Sequence, residues 1–192
     1  MKTIGRLGLC VVSLVLALQG SATAQTGDKN KTVRISNQQG TAAEVYINFA
    51  ADSVLKPTDL PFCRVTGQRN CQFTLAARSS QDFPNPQAKY LNMALAFNAP
   101  VTCGSTKAEV LVNNPKWFDI LDVSVVDGFN EKVQINLTPT NGQMTQLGPP
   151  VGKLGNQKIF ECKLGTESNP DVPCQYQMNE PNGLVEVLLL PK

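Results

Sequence analysis

The 192-residue chain contains no histidine, and this absence excludes several kinds of chemistry at once. A Ser-His-Asp or Cys-His catalytic arrangement cannot be built within one chain. A zinc site would lack imidazole ligands, and no CxxC pair is present to replace them. Neither a DxDxDG calcium loop nor a glycine-rich phosphate loop opening a helix occurs. We therefore expect no metal and no cofactor.

Long apolar runs are also lacking, apart from one near the start of the chain. Lys2 and Arg6 precede the apolar residues 7–18, and the small residues Ala22 and Ala24 follow at the spacing that signal peptidase recognises. These features predict a signal peptide over residues 1–24. No later stretch of about 18 apolar residues exists, so we expect no membrane insertion. The predicted location is extracellular, or periplasmic if the source is a Gram-negative bacterium.

The remaining chain, residues 25–192, lacks an excess of charge. Cleavage removes Lys2 and Arg6 but no acidic residue, which leaves 15 basic and 15 acidic side chains without a basic run. Binding to nucleic acid would need a basic surface, so we expect none. The length fits one domain with its own core.

Five cysteines remain after the predicted cleavage, and cysteines in exported proteins usually pair. Proximity in the chain predicts the disulfides Cys63–Cys71 and Cys162–Cys174. Cys103 is left over, either as a buried apolar residue or as a link between two molecules of an otherwise monomeric protein.

Short segments with alternating apolar residues dominate the chain, and they are separated by turn residues. This period of two, together with many β-branched and aromatic residues, indicates half-buried strands. Many short strands in one domain predict an all-β sandwich or barrel. The residues from 140 to 183 are rich in glycine, proline and asparagine, and we expect a loop-rich excursion there. The predicted strands are 31–36, 43–49, 71–76, 89–97, 108–112, 118–126, 132–137 and 184–190.

Two neighbouring segments carry a resemblance to a known family. Residues 108–113 (AEVLVN) and 119–130 (DILDVSVVDGFN) are similar to the AEF-x-L-N strand and the DVS-x-VDGFN strand and turn of thaumatin-like proteins. The similarity extends over about residues 31–136 and 184–192. It implies an antiparallel β-sandwich of thaumatin-like type with a reduced, disulfide-held second region. Gln39 and Leu190 stand where the family has two bridged cysteines, so the resemblance implies that this bridge has been lost.

The resemblance also implies a function. In the family, acidic residues of these strands line a cleft that is associated with β-1,3-glucan binding and antifungal, pathogenesis-related defence. Glu109, Asp122 and Asp127 match those positions, and Trp117 is a candidate aromatic contact. An ordinary solvated strand face for Glu109 and Asp122, and a turn-capping role for Asp127, are the alternatives. We expect a secreted polysaccharide-binding protein rather than an enzyme; a protein-interaction or enzyme-inhibitor module is the alternative, and a weak endo-β-1,3-glucanase comes third.

Overall fold

The computed structural model describes residues 29–102, 104–125, 128–149, 175–178 and 180–192. The predicted signal peptide lies outside these ranges, and so do Cys103, Asp127, Cys162 and Cys174. The described residues form strands β1 to β12 and one short 3-10 turn, Pro57–Asp59. The strands are Asn30–Asn37, Ala43–Phe49, Arg64–Gly67, Asn70–Leu75, Ser79–Asp82, Leu91–Phe97, Lys107–Val112, Asp119–Ser124, Val133–Pro139, Thr145–Leu147, Gln175–Met178 and Asn182–Leu189.

The strands build two sheets, which confirms the predicted all-β sandwich. One sheet has five strands in the order β10-β9-β12-β1-β5, and the other has seven in the order β11-β8-β7-β6-β2-β4-β3. The pairs are antiparallel except β1 with β12, which run parallel. The alternation read from the sequence explains the core: in β2, every second residue from Ala43 to Phe49 is buried. The inner faces of both sheets contribute to one apolar cluster.

The predicted disulfide Cys63–Cys71 is confirmed, with the two Cα atoms 5.6 Å apart. It joins the chain just before β3 to β4, and β3 and β4 form the hairpin at one edge of the seven-stranded sheet. Four strands were not predicted from the alternation: β3 and β5, whose residues are exposed or half-buried, and β10 and β11, which lie in the stretch expected to be loop-rich.

Polar contacts now join the two positions where the resemblance implies a lost bridge. The Gln39 Nε2 atom donates to the Leu190 carbonyl at 3.1 Å, and it also donates to the buried Glu131 carboxylate at 3.1 Å. The Gln38 amide donates to the Leu189 carbonyl at 2.9 Å. The closure between the first and last strands is therefore held by hydrogen bonds at this point.

Candidate acidic site on the seven-stranded sheet

Two of the predicted site residues, Glu109 and Asp122, are brought together by the β7–β8 hairpin. They are direct partners in the antiparallel register of the two strands. Both strands alternate between buried and half-buried residues, and Glu109 and Asp122 take half-buried positions on the side away from the core. Directly opposed residues of an antiparallel pair have Cβ atoms about 4.5–5.5 Å apart. The hairpin therefore presents a pair of carboxyl groups on the outer face of the sheet.

The environment of Asp122 favours its neutral form. Burial and, to a lesser extent, the negative charge of Glu109 raise the pKa of its carboxyl group from 3.8 to about 7, against a smaller opposing effect of the Val123 amide. Desolvation and a neighbouring like charge both disfavour ionisation of a carboxyl group. Near neutral pH, Asp122 can thus keep its proton and donate a hydrogen bond.

Polar and small side chains continue from this pair across the outer face. Ala94 of β6 is opposite Glu109, and Asn48 of β2 is opposite Ala94. Lys107 lies on the same face of β7, two residues before Glu109, and is opposite Ser124. The neighbouring side chains named here are therefore polar or small.

Tyr90 and Asn92 extend this polar surface at the start of β6: Tyr90 directly precedes the strand, and Asn92 is its second residue. The Tyr90 hydroxyl donates to one oxygen of Asp52 at 3.0 Å, and the Asn92 amide donates to the other at 3.0 Å. Burial, followed by the contact with Asp52, raises the pKa of Tyr90 to about 12. The hydroxyl therefore stays protonated, and the ring is held in place by its hydrogen bond.

Trp117 is not part of the acidic pair. It lies in the loop between β7 and β8 with 38% of its surface exposed, and its ring meets that of Phe118 edge-on at 5.8 Å. Trp117 precedes Asp119, the first residue of β8, by two residues. Asp119 is in turn three residues from Asp122, which corresponds to about 10 Å along a strand, so Trp117 lies well away from the acidic pair along the chain. Asp127, the third acidic candidate, lies outside the described residues.

Sequence reasoning missed a buried ionic cluster that fixes the hairpin. Lys31 donates to one oxygen of Asp119 at 2.8 Å, and both side chains are fully buried. Lys29 donates to the other oxygen at 3.1 Å. The amides of Asn113 and Asn114 donate to the same carboxylate at 3.0 and 2.9 Å. Because Asp119 ties the hairpin loop to β1, it holds the register in which Glu109 and Asp122 meet.

The sequence did contain a signal for this cluster. Lys31 is in phase with the buried residues Val33 and Ile35 of β1, and Asp119 is in phase with Leu121 of β8. A charged residue in phase with apolar ones faces the core and needs a partner there. One cation and one anion with this phase, on strands of opposite sheets, predict an ion pair between the sheets.

No group of three His, Cys, Asp or Glu side chains among the described residues is arranged to hold a metal ion. Within the same ranges, no helix has the length and apolarity needed to cross a membrane.

Comparisons with known proteins show similarity at the level of structure. No protein-family model matches the chain, and no curated protein matches it. The fold is similar to that of the thaumatin-like xylanase inhibitor TLXI, with 14% sequence identity and a TM-score of 0.46, over 83% of this chain and 99% of the inhibitor. It is also similar to the protein elicitor MoHrip2 from Magnaporthe oryzae, with 14% identity and a TM-score of 0.43, over 83% of this chain and 98% of the elicitor. The predicted resemblance is thus confirmed as a structural match at low sequence identity.

Proposed function

We propose that this protein binds a cell-wall polysaccharide on the outer face of the seven-stranded sheet, around Glu109 and Asp122. The observation that carries the proposal is the direct opposition of these two outward-facing carboxyl groups. Sugar hydroxyls both donate and accept hydrogen bonds. A protonated Asp122 donates and an ionised Glu109 accepts, so the pair can satisfy both sides of a sugar hydroxyl.

The surrounding surface suits an extended chain better than a small ligand. Asn48 and Asn92 on the same face carry amides that donate and accept. Tyr90 adds a ring held by its bond to Asp52. A polysaccharide of the β-1,3-glucan class is the candidate that the resemblance to thaumatin-like proteins implies, with an antifungal or defence role.

Secretion is part of the same proposal. The Cys63–Cys71 disulfide is of a kind found in extracellular proteins, because oxidising compartments allow such bonds to persist. The signal peptide predicted over residues 1–24 supports export, and the cell-wall polysaccharide would be met outside the cell.

Sedimentation with insoluble β-1,3-glucan tests the binding. The wild-type protein should be retained, and a Glu109→Ala/Asp122→Ala variant should lose at least about tenfold in affinity, because both hydrogen-bonding groups are removed. The matched control is Asp82→Ala/Glu186→Ala, which removes two carboxylates flanking Arg34 on the outer face of the other sheet. Equal retention of both double variants, or no retention of the wild type on β-glucans, would refute the proposal.

Hydrolysis of the bound glycan is a second candidate, favoured by one observation. A retaining glycosidase needs two carboxyl groups about 5–5.5 Å apart, one of them protonated. The register of Glu109 and Asp122 puts their Cβ atoms about 4.5–5.5 Å apart, which allows such a separation of the carboxyl groups, and Asp122 has the raised pKa of a general acid. Release of reducing sugar that disappears in Asp122→Ala would support it. Wild-type protein that binds the glucan but releases no sugar would leave binding as the function.

A further inference from the structure

A groove lies at the edge of the seven-stranded sheet, far from the acidic pair. β3 is four residues long and pairs with residues 70–72 of β4. β4 continues to Leu75, and no described strand pairs with its last three residues on that side. The sheet therefore lacks about one short strand at this corner.

The main chain of Thr74 points into this gap. Glu44 of β2 exchanges hydrogen bonds with Asn98 on the side of β6: its carbonyl accepts from the Asn98 amide, and its own amide donates to the Asn98 side chain. In the register of β2 and β4, Glu44 is opposite Thr74. Because the main chain of Glu44 is directed to Asn98, Glu44 and Thr74 form a non-hydrogen-bonded pair of the antiparallel ladder. In such a pair, the N–H and C=O groups of Thr74 face away from β2. They are directed to where the missing strand would lie.

The lining of the groove has the character of a vacant strand position. The groove has a volume of about 370 Å³ and is lined by side chains from both faces of the sheet. Arg64, Gln72 and Thr74 come from the outer face; Phe62, Phe73 and Leu75 come from the core side. A strand placed here would turn alternate side chains to these two surroundings, one polar and one apolar.

The apolar wall is held in a fixed shape. The Phe62 ring packs edge-on against Phe73 with centroids 4.9 Å apart, and it also meets Phe83 at 5.7 Å. The neighbouring Cys63 is bonded to Cys71, which lies two residues before Phe73. Little ordering is then required when a ligand enters.

The outer side of the groove carries one cation, Arg64, and one anion, Glu44. Arg64 is exposed, and among the described residues no carboxylate forms an ion pair with it. Glu44, the nearby acidic residue of the lining, accepts a hydrogen bond from the Thr74 hydroxyl at 2.6 Å. An acidic side chain of a ligand would complement Arg64.

We propose that an extended segment of a partner protein adds to β4 as an extra strand in this groove. Its main chain pairs with Thr74, an apolar side chain packs against Phe62, and the acidic side chain next to it in the segment, on the outer face, meets Arg64. Peptides commonly bind sheet edges in this way, with main-chain hydrogen bonds giving affinity and alternate side chains giving specificity. This partner site is independent of the polysaccharide site, since no residue is shared.

Fluorescence anisotropy with a synthetic peptide tests the inference. The probe is a fluorescein-labelled Glu-Val-Glu-Val-Glu peptide, which alternates acidic and apolar residues. Arg64→Gln should weaken its binding about fivefold, the change that an exposed ion pair supports. The matched control Arg69→Gln, in the turn between β3 and β4, should leave binding unchanged. A Lys-Val-Lys-Val-Lys peptide should bind more weakly than the acidic one.

Methylation of the peptide main-chain nitrogens separates strand addition from attraction by charge. The methylated acidic peptide keeps its charge but cannot donate to the edge, so its binding should be lost. Equal binding of the methylated peptide, equal binding to Arg64→Gln, or no saturable binding of the acidic peptide would overturn the inference. Sedimentation velocity adds a check: a concentration-dependent dimer that Arg64→Gln abolishes would identify a second copy as the occupant and would also overturn it.

Discussion

Replacing Asp122 by asparagine should stabilise the protein at alkaline pH and leave it unchanged in acid. The carboxyl group has a pKa of about 7 in the folded chain, against 3.8 as its ordinary value. Between these two values the unfolded chain has released the proton and the folded chain has kept it. The folded state binds more protons, so its stability falls as pH rises through this interval. Asparagine has no proton to lose and removes the effect.

The size of the effect follows from the pKa difference. Each pKa unit corresponds to about 1.4 kcal/mol, so the rise from 3.8 to about 7 corresponds to at most about 4 kcal/mol. Asp122→Asn should therefore gain up to this amount in free energy of unfolding at pH 8, and little at pH 3.5. Glu109→Gln removes the repulsive charge but not the burial, and burial is the larger cause. Its gain at pH 8 should be smaller.

Urea denaturation of each variant from pH 3.5 to pH 8 measures these differences. Asp82→Asn is the matched control with the opposite sign, because the contact with Arg34 lowers the pKa of Asp82. The ionised form of Asp82 is the one that stabilises the fold, so replacing it by neutral asparagine should slightly lower the free energy of unfolding above pH 4. An Asp122→Asn variant that matches the wild type at pH 8, or that gains the same stability at both ends of the pH range, would contradict a raised pKa of Asp122.

Three further changes test how the fold is held. Asp119→Ala should lower the free energy of unfolding by about 3–5 kcal/mol in urea titration, because it leaves a buried Lys31 without its partner; a loss below about 1 kcal/mol would contradict the role given to the cluster. Gly183→Ala should cost about 1–3 kcal/mol in thermal melts, since a Cβ atom there would lie 2.7 Å from the Thr138 carbonyl oxygen. Gly40→Ala, where a Cβ atom meets nothing within 4 Å, is its control; similar melting points for the two variants would refute the steric argument.

The strands in which apolar and polar residues alternate were predictable from the sequence. β2 was predicted over 43–49 and has those bounds, because every second residue faces the core. β3 has no such pattern: its residues are exposed or half-buried, and the neighbouring disulfide and the pairing with β4 define it. β11 pairs with β8 from a stretch whose composition indicates loops. These elements depend on contacts that lie far apart in the chain.

The acidic pair was predictable as residue types on neighbouring strands, but not as partners. Which residues stand opposite each other depends on the hairpin loop. In this loop, Asn113 takes a positive φ of 58°, and Asp119 binds the amides of Asn113 and Asn114. The sequence also could not give the pKa of Asp122, because burial on a sheet face comes from the surrounding structure.

The parallel pairing of β1 with β12 has a consequence for folding during synthesis. β12 lies between β1 and β9, so the five-stranded sheet is divided in two without it. A nascent chain cannot join these parts until residues 182–189 have left the ribosome. Contacts over such a sequence distance form slowly, and the edges of β1 and β9 that β12 joins stay unpaired in the meantime. Until the twelfth strand has emerged, the growing chain thus exposes unpaired strand edges of the kind that make folding intermediates prone to aggregate.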